Sequence, residues 1–549
     1  MPFNVFSKYS PNKNDKKVAY FCMEYGLAQE FKMYSGGLGI LAGDILKAAH
    51  DLKKPLVGIG LLWKQGYTDQ IISKEGKPVD TYQNYKYDFL TDTGVKVKVR
   101  IRTNDIWCKV WLADTYENAP LLLLDTDIPE NADRWITGQL YGWFSEERVA
   151  QEMILGIGGV RALRALNIPV EVYHFNEGHA VLAGLELIRE NMQEKNMSYE
   201  TALKTAKKSI VFTTHTPIKE GNEHHQPEVL NYMQANLNFN AQQMHNIGGT
   251  PFNMTVAALH LSRNSNAVAV LHAETATKMW EDITDKPEII PITNGIHRKT
   301  WVAPELMGAN DRGEILWGKH LQQKKELIKF VKERNGVTLK EDVLLVGFSR
   351  RAAMYKRGDL IFTDLQKVSE LFKTNKLQLI FSGKAHPLDD GGKILVSNLV
   401  KMSREFPQNV VFLENYDMTI GARLTRGCDV WLNNPRRPLE ACGTSGMKAA
   451  MNGVLNLSIL DGWWPEVCEH GVNGWAIGDT VVPKTVEEQD RRDVEFLYNT
   501  LIKEVIPTYY QNRSKWIQMM EKSISSTTVA FCAETMVKKY YSDLYSLKS

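Results

Sequence analysis

Residues 342–385 read DVLLVGFSRRAAMYKRGDLIFTDLQKVSELFKTNKLQLIFSGKA. The stretch opens on a short apolar run, DVLLVGFS (342–349), and closes on a second, LQLIFSGKA (377–385). Between them lies RGDLIFTDLQKVSELFKTN, polar and helix-capable. An unbroken apolar strand needs cover on both faces, and an intervening helix supplies it, so the stretch predicts one strand–helix–strand unit of a parallel sheet. Working outward, NVVFLEN (409–415), CDVWLNNP (428–435) and GVLNLSIL (453–460) extend the same alternation. Residues from about 300 to 525 therefore predict a doubly wound α/β domain.

The first half repeats the theme with additions. Strand candidates are KVAYFCMEY (17–25), PLVGIGLLW (55–63), EVYHFNE (171–177), SIVFTTH (209–215), NAVAVLH (266–272) and EIIPITNG (288–295). VKVKVRIRTNDIWCKVWLAD (95–114) alternates strictly about Thr103-Asn104-Asp105 and predicts an antiparallel hairpin. RVAQEMILGIGGVRALRALN (148–167) has helical apolar spacing, and the last 22 residues predict an amphipathic terminal helix. The expected organisation is a Rossmann-like domain over residues 1–298 and a second over 299–525. A helix over 526–549 would return to the first. Two such domains in series would face each other across a cleft, with ligands outside the carboxyl ends of the strands.

The chain of 549 residues is 43% hydrophobic and 24% charged, with a net charge of +2. That balance argues against a nucleic-acid surface or a membrane-binding arm. Cys22, Cys108, Cys428, Cys442, Cys468 and Cys532 show neither a disulfide framework nor C-x-x-C spacing. The opening MPFNVFSKYSPNKNDKKVAYF lacks the apolar core of a signal peptide, and a cytoplasmic protein is expected.

The unusual motifs fall at predicted strand ends. EACGTSGMKAAMNG (440–453) sets small residues around Gly443, Thr444, Ser445 and Gly446 ahead of Lys448, expected in the first turn of a helix. Converging backbone N–H groups suit a phosphate, and a desolvated lysine suits a Schiff base, so the residues point to a phosphate-bearing aldehyde. A plain strand-to-helix turn with a snorkelling lysine is the alternative. GGLGILAG (36–43) contains Gly37-x-Gly39-x-x-Ala42, but no strand directly precedes it and no ribose-binding acid follows PLVGIGLLW. An anion loop opening a helix fits better than a dinucleotide fingerprint, beside the reading as a structural turn.

SRRAAMYKRGD (349–359) concentrates Arg350, Arg351, Lys356 and Arg357 at a strand end, as an oxyanion requires. HFNEGHA (174–180), TTHTP (213–217), His224 and His225 invite a metal-site reading. The spacing His174-x-x-Glu177-x-His179 matches no zinc-helix pattern, and no metal is expected. A polar strand end facing a hydroxylated ligand, with His215 as a donor, competes evenly with capping histidines. ITNGIH (292–297) supplies Asn294 and NPRRPLEACGTSG supplies Glu440, both suited to sugar hydroxyls.

Taken in order, GGLGILAG, NEGHA, TTHTP, NGIH, RRAAMYKR, FSGKAHP, FLENY and EACGTSGMKAAMNGVLNLSILDGWWPE resemble the landmarks of the α-glucan (glycogen, starch, maltodextrin) phosphorylases. The resemblance runs from about residue 17 to beyond 470, and is nearest to the short prokaryotic branch. It implies a two-domain glycosyltransferase fold. The implied reaction is reversible phosphorolysis of α-1,4-glucan by orthophosphate, yielding α-glucose 1-phosphate with retention of configuration. The implied cofactor is pyridoxal 5′-phosphate, held as a Schiff base to Lys448, with Thr444 and Ser445 near its phosphate and Gly37 in the same neighbourhood. Arg351 and Lys356 would bind orthophosphate, approached by the backbone of Gly37 and Leu38. Asn294, Glu440, Cys442 and Gly443 would hold glucose hydroxyls. His215 would sit by the reacting sugar, with Glu177 and His179 supporting it. A homodimer is the family's common assembly.

Several positions depart from the family pattern. Cys442 stands where Ser is common, Gly446 where the long enzymes have Asn, and Arg350 where they have Lys. QLYGWFSEERVAQE (139–152) does not reproduce their Asn-Asp covering loop. No regulatory N-terminal phosphorylation segment is visible, so allosteric control by that route is not expected. A starch synthase-like transferase would share GGLG without needing Lys448, and a catalytically dead glucan-binding protein would not need Lys448, Arg351 and Lys356 together.

Overall fold

A computed structural model of the chain describes residues 5–6, 15–142, 145–307 and 312–546. They form two compact units. One takes in residues up to Tyr67, Tyr82–Thr293 and residues from Ala533; the other takes in Thr68–Thr81 and Asn294–Cys532.

The first unit is built on β1 (Val18–Phe21), β2 (Leu56–Leu61), β3 (Thr91–Ile101), β4 (Asn104–Ala113), β5 (Leu121–Asp125), β6 (Val172–Asn176), β7 (Ile210–Thr214), β8 (Asn264–Ala267) and β9 (Ile289–Pro291). They lie in the order β9-β8-β7-β6-β1-β2-β5-β4-β3. All pairings are parallel except those of the β3–β4 hairpin and of β4 with β5. Every residue of β1, β2, β6 and β7 is buried, as a strand covered on both faces requires. The hairpin behaves differently. Val97, Val99 and Ile101 are buried while Lys96, Lys98 and Arg100 face solvent. That period of two is what a half-solvated edge demands, and the charged row also blocks pairing with another chain.

The second unit holds β10 (Leu345–Ser349), β11 (Gln378–Ser382), β12 (Val410–Leu413), β13 (Val430–Asn433), β14 (Leu455–Ile459) and β15 (Gly474–Ile477). The order is β12-β11-β10-β13-β14-β15, parallel throughout. The chain steps outward from β10 on one side, then returns to fill the other. The strand order reverses between β10 and β13, and the same logic puts the reversal of the first sheet between β1 and β6. At such a point the loops leaving two adjacent strands diverge and open a crevice at their carboxyl ends.

Two expectations need correction. The run 266–272 is not one strand: β8 ends at Ala267, where its pairing with β7 ends at Thr214, and a helix begins at Val270. An apolar run of that length carries no periodicity that separates strand from buried helix. Lys448 is not in the first helical turn. Gly443 adopts φ +85°, which closes the preceding loop and starts the helix at Thr444, so Lys448 lies in its second turn.

The end of the chain supports both units. Helix Arg513–Thr527 packs on helix Thr444–Met451 in the second, and helix Ala533–Lys539 packs on helix Gly37–Asp51 in the first. The Tyr545 hydroxyl then reaches Nδ1 of buried His174 at 2.8 Å, and Arg263 donates to the carbonyls of Tyr545 and Ser546. No helix among the described residues is long and apolar enough to cross a membrane.

Candidate active site

In the second unit, β10 delivers Arg350 at its carboxyl end and β13 delivers Asn433, the two strands that flank the reversal. Arg350 hydrogen-bonds Asn433 Oδ1, and its Nη1 lies 2.7 Å from Glu440 Oε2. Lys356 Nζ reaches the same carboxylate at 3.2 and 3.1 Å. Burial opposes ionisation of Glu440, but Arg350 and then Lys356 outweigh it and hold the carboxyl below its ordinary value of 4.5. Arg351 is exposed beside this cluster. The two cations held on one carboxylate leave a positive charge, which an oxyanion would cancel.

The loop from Glu440 to Gly443 is clamped from behind. Asp461 Oδ2 accepts the Glu440 N–H at 2.9 Å and its Oδ1 accepts that of Gly462 at 2.8 Å, while Trp463 N–H donates to the Cys442 carbonyl at 3.0 Å. Burial pushes Asp461 up to about 7, against the pull of the Glu440 N–H. Asn294 is 4% exposed, and its Oδ1 has no hydrogen-bond partner among the described residues. An orphaned buried acceptor is costly, and a ligand hydroxyl would relieve it. The structure thus gathers Asn294, Arg350, Lys356, Glu440, Cys442 and Gly443 in one unit. Cys442 is buried, and desolvation holds its thiol well above the ordinary value, so it acts as a small neutral group rather than a nucleophile.

Lys448 is 5% exposed, with Nζ 3.3 Å from the centroid of the Trp301 ring. Its helix has no side-chain cap at Gly443, which leaves first-turn N–H groups directed past the amino end. Ser445 Oγ accepts from Trp431 Nε1 at 3.2 Å. Gly446 leaves no room for a side chain: a Cβ would stand 2.7 Å from Asn456 Oδ1 and 3.0 Å from Trp463 Nε1. An amine sheltered on an indole face, one turn from an uncapped helix start, fits pyridoxal phosphate. The amine would meet the aldehyde and the helix start the phosphate.

In the first unit the reversal of the sheet places Glu24 just beyond β1 and Asn176 and Glu177 at the end of β6. Glu24 Oε2 accepts the N–H groups of Ser35 (2.6 Å) and Gly36 (3.2 Å), and Tyr141 donates to its Oε1 at 3.1 Å. The carboxylate so anchors the loop that enters helix Gly37–Asp51. Gly39 packs tightly on it, since a Cβ there would stand 2.6 Å from Glu24 Oε2. Gly37 meets nothing within 4 Å. Packing within the unit explains the first glycine and not the second, whose backbone stays open to a ligand.

Glu177 adopts φ +71°, unusual for a side chain with a Cβ. Its Oε2 accepts the His215 N–H at 2.9 Å and the Thr216 hydroxyl at 3.0 Å, and its Oε1 accepts the Gly178 N–H at 3.2 Å. Both oxygens are committed to the protein, which makes Glu177 a positioning residue. His215 Nε2 lies 2.6 Å from Asn176 Oδ1, while the Asn176 amide donates to Cys22 Sγ. That network requires the proton on Nε2 and leaves Nδ1 as an acceptor. Burial, with His272 nearby, pushes His215 down to about 3, so the ring is neutral at pH 7. His179 belongs to a different set, with Nε2 3.5 Å from Glu223 and its ring against Tyr141. Residues 143–144 of the covering-loop segment lie outside the described residues.

Glu24, Asn176 and Asp461 were not singled out from sequence. Glu24, in FCMEYG, carried a usable signal: an acid directly after a buried strand that later borders the reversal point.

A carbohydrate phosphorylase family model matches residues 314–476. A maltodextrin phosphorylase of Thermococcus litoralis is 39% identical over 97% of this chain and 71% of its own length. The chain belongs to the carbohydrate phosphorylase family. A glycogen phosphorylase of Mycobacterium bovis is 37% identical over 96% of this chain and 70% of its own. One from Aquifex aeolicus is 36% identical over 99% and 88%. The carbohydrate phosphorylases use pyridoxal phosphate, the group that the surroundings of Lys448 fit.

Proposed function

We propose that the chain is a pyridoxal phosphate-dependent α-1,4-glucan phosphorylase. It acts on glycogen or maltodextrin and transfers the non-reducing terminal glucose to orthophosphate. The observation that carries the reading is the meeting of Arg350, Lys356 and Glu440 in one unit with the sheltered amine of Lys448.

Lys448 would hold the cofactor by its amine, and Thr444 and Ser445 its phosphate. When bound, the cofactor supplies a phosphate group that acts as an acid–base or electrostatic partner. Arg351 and Lys356 bind substrate orthophosphate. Asn294, Glu440 and the backbone at Cys442–Gly443 hold glucose hydroxyls.

Orthophosphate gives a proton to the glycosidic oxygen as the bond from C1 breaks, and C1 becomes oxocarbenium-like. A phosphate oxygen then bonds to C1 on the face the glucan left, which retains the α-configuration and yields α-glucose 1-phosphate. Neutral His215 offers a lone pair and a carbonyl to the sugar without adding a positive charge that would oppose the developing cation. Glu177 fixes the backbone that presents it.

The test is glucose 1-phosphate release from maltooligosaccharides of graded length by protein supplied with orthophosphate and pyridoxal phosphate. Release that disappears in Lys448→Ala, together with the cofactor's absorbance, is expected. Release that survives in Lys448→Ala would overturn the reading, as would failure on every chain length despite bound cofactor.

A further inference from the structure

The mechanism leaves one group of titratable side chains in the first unit unused. Helix Glu146–Met153 carries Glu152, and the segment after β7 carries Glu223 and the short strand His224–His225, which pairs with Phe252–Asn253. The ligand atoms of Glu152, Glu223 and His225 all lie within 4.8 Å of one another. His225 Nε2 is 2.8 Å from Glu152 Oε2.

Glu152 has no solvent exposure, yet its Oε1 has no hydrogen-bond partner among the described residues. Arg148 is the near cation, with Nη1 3.4 Å from Glu223 Oε2. One guanidinium against two carboxylates leaves one negative charge and an open carboxylate lone pair in a buried pocket. Burial answers this by raising both acids, Glu152 to about 8, with the charge of Glu152 raising Glu223 further, and by lowering His225. A proton shared by Glu152 and His225 is one way to balance the charge, and a cation is the other.

The donor set favours the cation. Two carboxylate oxygens and one imidazole nitrogen, from two segments converging on one point, are the ligands that borderline divalent ions select. We propose that Glu152, Glu223 and His225 form a binding site for a divalent transition-metal ion of the zinc or manganese class. Bound there, the ion would fix helix Glu146–Met153 to the strand at His225. Arg148 of that helix stacks on Tyr141, which holds Glu24. The site therefore stands behind the loop that opens helix Gly37–Asp51.

Full-length protein is stripped with a chelator and then titrated with Mn2+ and, separately, Zn2+. Expected are one equivalent of bound ion by elemental analysis after gel filtration and proton release seen as a buffer-dependent heat. A Mn2+ electron paramagnetic resonance signal should change on binding. Glu152→Gln and His225→Ala should each weaken binding about 100-fold or more. Cys468→Ser, at a partly exposed thiol, should leave it unchanged. Failure of wild-type protein to retain an equivalent of either ion would overturn the proposal, whether or not the variants fold. So would stoichiometric binding that persists undiminished in Glu152→Gln and His225→Ala.

Discussion

Glu440→Gln removes one negative charge and almost no volume. The structure says what remains: Arg350, whose Nη1 stood 2.7 Å from the carboxylate, and Lys356 at 3.1 Å, both facing a neutral amide. Removing one partner of a buried ion pair costs about 3–5 kcal/mol, because the surviving charge stays desolvated. Arg350 keeps Asn433, and water reaches part of Lys356, so the lower end applies, about 3 kcal/mol. For a unit of this size that corresponds to a drop in Tm of about 6–12 °C. Scanning calorimetry of both proteins at pH 7, each loaded with cofactor, measures it. The folded Glu440 carboxyl sits below 4.5, so its contribution is complete above the ordinary carboxylate range and is lost as pH falls through the folded value. The difference between the proteins should therefore shrink in acid. Orthophosphate should raise the Tm of the variant more than that of wild type, since it restores the missing negative charge. A Tm within about 1 °C of wild type at pH 7 would refute the reasoning, because the desolvated cations would then cost nothing.

Gly446→Ala forces a Cβ to within 2.7 Å of Asn456 Oδ1 and 3.0 Å of Trp463 Nε1. Relief by shifting the helix of Lys448 should cost about 1–3 kcal/mol and lower cofactor occupancy, read as absorbance per protein after gel filtration. Asp461→Asn leaves one amide oxygen for two N–H donors, so turnover should fall. Because Asp461 titrates near 7 when folded and near 3.8 when not, it makes stability decline as pH rises between those values. Chemical denaturation across that window should show the slope in wild type and lose it in the variant.

Most strands of both sheets were legible because burial on two faces leaves an unbroken apolar run that few other structures tolerate, but β5 and β15 were not singled out. The β3–β4 hairpin was legible for the opposite reason, one solvated face writing a period of two. NAVAVLH was not, since short buried helix and strand share that composition. Among site residues, Lys448 and the glycines before it stood out because their chemistry is local. Arg350 and Arg351 are neighbours in sequence, and only the family resemblance separated their roles. Only the fold turns the first onto Glu440 and Asn433 and the second toward solvent. Glu152, Glu223 and His225 come from segments more than seventy residues apart in part, and no spacing announces them.

Three buried carboxylates share one physical task. Glu24 accepts the N–H groups of Ser35 and Gly36, Glu177 those of Gly178 and His215, and Asp461 those of Glu440 and Gly462. Each loop so held leaves or approaches a strand end where ligands bind. A loop there cannot satisfy its own N–H groups by helix or sheet pairing without losing its shape. A buried carboxylate is the side chain that accepts on both oxygens and donates from neither. An amide in its place turns an NH2 toward an N–H and strands one donor, at about 1–3 kcal/mol. Burial raises all three carboxyls, Asp461 to about 7, so holding these loops is bought with acids that ionise reluctantly. Their identity is thus set by backbone hydrogen bonding as much as by any contact with substrate.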